Sequence, residues 1–260
     1  MLSDKKKRFA ISSIILSIIL LSIKFIDNQT LKFIDIAFLG LMTTVSFWWS
    51  LKEGIKTRIT FLVTLLPLYY SVGIALFWFL LPSTIWVTIA IVILYGISIY
   101  LLFLTENVFS VSSLKTIALY RAAKGVGFLF TLIAFFFSLN ALISLKIPYY
   151  YLGILVFFII YPLYLQGFWS STLQDKMDKR LNSIAIVSAM FQAQVSVILF
   201  FWPVPVIVGS LFLTIVFYIL LGLGQSKLED RLFSQTIREY LTVGAVVFIV
   251  MLFSTSWAGY

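Results

Sequence analysis

Three polar side chains within one long apolar run are the residues best placed to do chemistry inside a membrane. Ser188, Gln192 and Ser196 follow one another at intervals of four, with Ala189 and Ala193 beside them. On a helix this spacing gives one face that is small and polar. Such a face either packs against other helices through hydrogen bonds or lines a cavity for a weakly polar solute. Both interpretations stay open on the sequence alone.

Basic residues between the apolar runs are a second candidate set. We expect them to contact anionic lipid headgroups or a membrane or cytoplasmic protein partner, since each one near an anionic surface contributes about 1 kcal/mol. The candidates are Arg121, Lys124, Lys176, Lys179, Arg180, Arg231 and Arg238. A net charge of +9 would suggest nucleic acid in a soluble protein. Here the charges punctuate membrane-length runs, so nucleic acid is not an expected partner.

Catalytic residue types are scarce in this chain. It has no Cys and no His, which excludes thiolate metal sites, Cys nucleophiles and imidazole proton transfer. It also lacks a Gly-rich phosphate loop. We therefore predict no catalytic, cofactor-binding or metal site. One enzymatic alternative is kept, a membrane enzyme acting on a lipid phosphate through Arg121, Lys124 and the loop that carries Asp175.

That loop is similar to the acidic loops of membrane prenyltransferases, which hold magnesium diphosphate with aspartate clusters in two loops. It carries Asp175 and Asp178. The earlier loop offers only Glu53, so half of such a metal site is missing.

The elements that position these residues follow from hydropathy. With 62% hydrophobic and 11% charged residues, the chain cannot be a water-soluble globule. A membrane span needs about 20 apolar residues. We predict an all-α, polytopic membrane protein with about nine transmembrane helices, built largely of tight helical hairpins, in a single transmembrane domain over residues 1–260. The predicted spans are 9–26, 33–51, 59–81, 84–104, 125–145, 149–170, 183–202, 205–224 and 241–257.

Orientation is predicted from the basic residues, because loops rich in Lys and Arg stay cytoplasmic. Alternate connections hold nearly all of them, and the other side holds Lys24, Lys32 and Lys146. The amino terminus is therefore expected in the cytoplasm and the carboxyl terminus outside, with the protein in the plasma or inner membrane. Aromatic residues support these boundaries, with Trp86 expected at the outer interface and Trp169 at the inner one.

Two connections are expected to be structured. From Lys227 to Leu241, apolar residues recur at helical spacing, which predicts an amphipathic helix in the headgroup layer that could continue into the last span. Glu106 follows the fourth span, where pairing with Arg121 or Lys124 is expected.

A Pro at each of three outer turns is followed thirteen residues later by a Tyr. This spacing allows a triplicated hairpin, or a coincidence of residues that are common here. The pairs are Pro82 and Tyr95, Pro148 and Tyr161, and Pro205 and Tyr218.

Three short motifs carry a resemblance: Leu104–Phe109 (LTENVF), Tyr120–Lys124 (YRAAK) and Arg238–Leu241 (REYL). The chain resembles uncharacterised bacterial multi-pass membrane proteins with no assigned activity. The resemblance covers roughly the second half of the chain and implies no reaction.

The leading functional hypothesis is a non-enzymatic scaffold or subunit of a cell-envelope assembly. It follows from the missing catalytic sets and the short outer loops. The alternative is a transporter or flippase for a lipidic or weakly polar solute, which would use Ser188, Gln192 and Ser196 as a binding wall. That alternative requires a cavity beside these three residues.

Overall fold

Membrane-length helices make up nearly all of the computed structural model, which describes residues 2–51, 60–81, 84–110, 117–173 and 178–255. Within these ranges there are nine α-helices, each long and apolar enough to cross a bilayer, which confirms the predicted all-α membrane fold. They are α1 Leu2–Ser22, α2 Gln29–Leu51, α3 Thr60–Phe79, α4 Ile85–Ser110, α5 Ile117–Ser144, α6 Tyr149–Thr172, α7 Lys179–Phe200, α8 Val206–Leu228 and α9 Ser234–Phe253.

The chain divides into two compact units. Unit 1 covers Met1–Ser138 and holds α1 to α4 with most of α5. Unit 2 covers Leu139–Tyr260 and holds the end of α5 with α6 to α9. Each unit is described by itself below.

In unit 1, α2 runs antiparallel to both α1 and α3. Near the start of α2, Phe33 packs on Phe79 at the end of α3, with ring centroids 5.8 Å apart. Ser12 in α1 shares a buried hydrogen bond of 3.0 Å with Ser50 at the end of α2. Hydroxyl groups such as these stabilise contacts between apolar helices because no water competes for them in hydrocarbon.

In unit 2, α6 contacts both α7 and α8. The rings of Tyr149 at the start of α6 and Phe201 after α7 have centroids 5.3 Å apart, so these helices are antiparallel. At the other end of α6, Gln225 of α8 donates a hydrogen bond of 2.8 Å to the carbonyl of Gly167. These contacts place α7 and α8 against the same helix.

Several helices extend beyond the apolar runs from which they were predicted. The fourth was expected to end at residue 104 but continues to Ser110, and the fifth begins at Ile117 rather than at 125. Hydropathy detects the part of a helix that lies in hydrocarbon, whereas the helix itself continues wherever the backbone bonds are made. Glu106 consequently lies inside α4, where its side chain is buried.

The segment from Lys227 to Leu241 is not one helix, but its second part is helical and continuous with the last span, as the prediction allowed. α8 ends at Leu228, and Asp230 adopts a left-handed φ of 54°. The Arg231 amide then bonds back to the Ser226 carbonyl at 2.8 Å, as in a Schellman C-cap. α9 begins at Ser234, so the residues from Ser234 to Leu241 belong to the same helix as the last span.

The two Trp residues used as interface markers differ in environment. Trp86 is exposed at the start of α4, as expected for an interfacial anchor. Trp169 lies near the end of α6 but is buried inside unit 2, so it faces other helices rather than lipid headgroups. Hydropathy does not distinguish a Trp facing headgroups from one facing another helix.

The three tyrosines of the possible repeat have unlike neighbours. Tyr95 shares a hydrogen bond of 2.8 Å with Ser71 on the preceding helix. Tyr161 instead donates to Asn182 on the following helix. Tyr218 packs on Tyr240 of α9, with centroids 4.9 Å apart. The shared Pro–Tyr spacing therefore does not correspond to a shared packing role.

Candidate functional site

Gln192 is fully buried and joins three helices. The Tyr164 hydroxyl of α6 donates to its Oε1 atom at 3.2 Å, and its Nε2 atom donates to the Leu213 carbonyl of α8 at 3.0 Å. An amide is both donor and acceptor, so one side chain satisfies a group on each neighbour. Gln192 thus ties α7 to α6 and α8.

The two serines beside Gln192 are also buried. The Ser196 hydroxyl donates to the Ala193 carbonyl at 2.7 Å, within its own helix. We call Ser188, Gln192 and Ser196 the polar seam. The seam faces the interior of unit 2, and its residues line neither of the two grooves described below.

Gln194, two residues further along α7, points away from the seam and is exposed. It lies in a groove of about 610 Å³ between α6 and α7, which we call the α6–α7 groove. The groove is lined by Tyr149, Tyr150, Gly153, Ile154, Ala193, Gln194, Val197 and Ile198. Apart from the amide and the tyrosine hydroxyls, these side chains are apolar or absent.

The candidate basic residues are spread over both units. In unit 1, Arg121 is exposed and Lys124 half-buried at the start of α5. In unit 2, the exposed candidates are Lys179, Arg180, Arg231 and Arg238. Lys176 lies outside the described residues. All of the described candidates therefore reach the surface at helix ends.

Arg180 is already engaged within unit 2. Its guanidinium lies 3.6 Å from the Asp230 carboxylate and donates to the Lys227 carbonyl at 3.3 Å. Both charged side chains are exposed, so the pair contributes about 0–1 kcal/mol. The contact connects the start of α7 with the end of α8.

Asp178 has a structural role at the start of α7. Its carboxylate accepts a hydrogen bond of 3.1 Å from the Arg180 backbone amide, which makes it the N-cap of this helix. Asp175 lies outside the described residues. Across the part of the chain that the structure describes, no three Asp or Glu side chains come together as metal ligands.

Gln194 is the residue that the sequence pattern did not single out. α7 contains two glutamines, Gln192 and Gln194, and the four-residue spacing of the serines includes only Gln192. The useful signal was that Gln194 falls outside that pattern within the same membrane span.

Comparison with known families gives one match. A family model described as a protein of unknown function, DUF5656, matches residues 11–254. The chain belongs to this family. Neither the curated proteins nor the solved structures contain a match to the chain. This DUF5656 protein is a multi-pass membrane protein, and its family description assigns no activity.

Proposed function

We propose that the protein is a non-enzymatic membrane subunit that assembles with a second copy of itself through the α6–α7 groove. The observation that carries the proposal is Gln194, an exposed amide within a membrane span. Phe200, at the end of α7, comes six positions after Gln194. This corresponds to about 9 Å, too far for the short amide side chain to reach water.

The exposed face of α7 has the spacing of a helix interface. Val187, Phe191, Gln194 and Ile198 are exposed and recur every three or four residues. In helix pairs, a single amide within such an apolar stripe fixes the register and the number of chains. The amide gains a partner that lipid cannot provide.

The shape of the groove fits a second helix. The groove lining includes the small residues Gly153 and Ala193, which are common where helices pack together, and Val197 lies beside Gly153. Two copies with the same orientation in a membrane are related by a two-fold axis along the bilayer normal, which places identical residues opposite each other. Gln194 can then donate to and accept from its own counterpart. This self-complementarity favours a second copy of the chain as the partner.

The polar seam supports a subunit rather than a transporter that uses this face. Both functional groups of Gln192 are bonded to neighbouring helices. A solute would have to break those two contacts before it could bind there.

Cysteine cross-linking in membranes tests the dimer, since the chain has no Cys of its own. Ile198 is 63% exposed and lies one turn after Gln194 in the groove. With Ile198→Cys, oxidation is expected to give a disulfide-linked dimer. The control is Ile207→Cys in α8, which is 57% exposed but outside the groove.

Adding Gln194→Leu to Ile198→Cys should reduce cross-linking. Loss of the amide contact is expected to cost about 1–2 kcal/mol. The dimerisation constant should therefore fall by about 5- to 30-fold. Equal cross-linking at Ile207, or a yield unaffected by Gln194→Leu, contradicts the proposal.

We also propose the orientation that the basic residues predict, with the amino terminus in the cytoplasm. Lys146 and Lys179 are both exposed and lie at opposite ends of the unit 2 helices. With Lys146→Cys, a membrane-impermeant maleimide added to intact cells should react. With Lys179→Cys it should react only after permeabilisation. The reverse labelling pattern would show that the orientation is opposite to the proposed one. Arg231 and Arg238 would then lie on the outer side, away from the anionic inner leaflet.

A further inference from the structure

A second groove, in unit 1, runs between α1 and α4. Phe9 packs on Phe103 with ring centroids 6.0 Å apart, and Lys24 bonds to Thr88 near the other ends of the two helices, so α1 and α4 are antiparallel. Between these contacts lies a groove of about 630 Å³, which we call the α1–α4 groove. It is lined by Ala10, Ser13, Ile14, Ser17, Ile18, Leu21, Val92, Ile93, Gly96, Ile97, Tyr100 and Leu101.

The lining of this groove is effectively apolar. The Ser13 hydroxyl donates to the Ala10 carbonyl and the Ser17 hydroxyl to the Ser13 carbonyl, both at 2.8 Å. These hydroxyls are therefore satisfied within α1. Gly96 lets the helices approach closely, because a Cβ atom there would lie 2.8 Å from Ser17 Oγ. The surface suits a hydrocarbon chain.

A cation lies just beyond one end of the groove. Lys24 follows Leu21 by three residues in a short 3-10 turn after α1, and Thr88 precedes Val92 by four residues in α4. The Lys24 ammonium donates to the Thr88 hydroxyl at 2.7 Å, and Lys24 is half-buried. Nearby Trp86 is exposed, which is typical of the headgroup level of a bilayer.

The charge of Lys24 is not neutralised by a neighbouring carboxylate. Asp35 accepts a hydrogen bond of 2.7 Å from the Ser22 hydroxyl, and Asp27 is exposed. Within the described part of the chain, neither forms a salt bridge with Lys24. A phosphate at this position would supply the missing negative charge.

We propose that the α1–α4 groove binds an anionic phospholipid, with its phosphate on Lys24 and an acyl chain along the groove. The twelve residues from Ala10 to Leu21 span about 16 Å of helix. Half of a hydrocarbon core is roughly 15 Å thick, so the groove matches one leaflet's acyl chain in length. The proposal uses only unit 1 and is independent of the proposed dimer.

Photo-cross-linking in vesicles tests the site. A benzophenone amino acid replaces Ile97, which lines the groove and is 55% exposed. The full chain is reconstituted in vesicles of equal parts phosphatidylglycerol and phosphatidylcholine. The matched control is Leu94 on the same helix, 64% exposed and outside the groove. The adduct at Ile97 should be enriched about fivefold in phosphatidylglycerol, and the adduct at Leu94 should follow the bulk composition.

The role of Lys24 is tested by charge removal. Lys24→Gln, which keeps a donor for Thr88, should abolish the enrichment at Ile97. Lys32→Gln is the control, because Lys32 carries the same charge in the same unit but sits over the Phe79 ring. The proposal is overturned by equal lipid ratios at Ile97 and Leu94, or by an enrichment that Lys24→Gln leaves unchanged.

Discussion

Replacing Gln192 by leucine is expected to lower the stability of unit 2 by about 1–3 kcal/mol, the cost of leaving a buried polar group unsatisfied. The group concerned is the Tyr164 hydroxyl, which loses its acceptor on α7. The Leu213 carbonyl also loses a donor. The measurement is the thermal unfolding midpoint of the purified protein in a mild detergent.

A double substitution separates lost bonding from lost packing. Removing both partners of a buried hydrogen bond costs much less than removing one, because no orphan group remains. Gln192→Leu combined with Tyr164→Phe should therefore recover most of the midpoint lost in Gln192→Leu alone. If the double variant is less stable than Gln192→Leu alone, the lost hydrogen bond does not explain the destabilisation by Gln192→Leu.

Gln194→Leu is the matched control on the same helix. Gln194 is exposed and makes no seam contact, so in dilute detergent the change should stay within about 0.5 kcal/mol. Gln192→Leu should thus lower the stability of the monomer, whereas Gln194→Leu, two residues further along, should weaken self-association. Equal destabilisation by both substitutions would contradict the separate roles.

The second large effect is expected at Gly224 in α8. A Cβ atom added there would collide with the ring of Phe168, which is completely buried. Overpacking in a filled interior typically costs about 1–3 kcal/mol. Gly224→Ala should therefore lower the unfolding midpoint, because the Phe168 ring has no free space to enter.

Gly125→Ala in α5 is the control, because a Cβ atom there would meet nothing within 4 Å. Alanine is the better helix former by about 1 kcal/mol, so this variant should be neutral or slightly more stable. If Gly125→Ala lowered the unfolding midpoint as much as Gly224→Ala, the cause would be a general effect of replacing glycine rather than the contact with the Phe168 ring.

The helices themselves could be predicted from the sequence, because each needs one apolar run of membrane length. Their ends could not. Asp230 terminates α8 through its left-handed backbone, whereas the apolar spacing from Lys227 to Leu241 favoured one continuous helix. Helical periodicity reports which side chains share a face and carries no information on a single residue that leaves the helical region.

The sequence predicted which residues of the candidate site share one face of α7, but it did not predict which other helices those residues contact. Spacing placed Ser188, Gln192 and Ser196 together, and they are indeed buried on one side of α7. Deciding between a cavity and a contact required the positions of Tyr164 and Leu213, which lie 28 and 21 residues away from Gln192. No local pattern encodes such distances.

The bridge made by Gln192 also bears on how the protein is made. Of its two partners, Tyr164 belongs to α6, which precedes α7 in the chain. The Leu213 carbonyl is made 21 residues after Gln192, as part of the next helix. When helices enter the bilayer in chain order, the Nε2 donor of Gln192 therefore gains its partner only with the helix that follows α7. The contacts of α7 are complete only when α8 has been inserted.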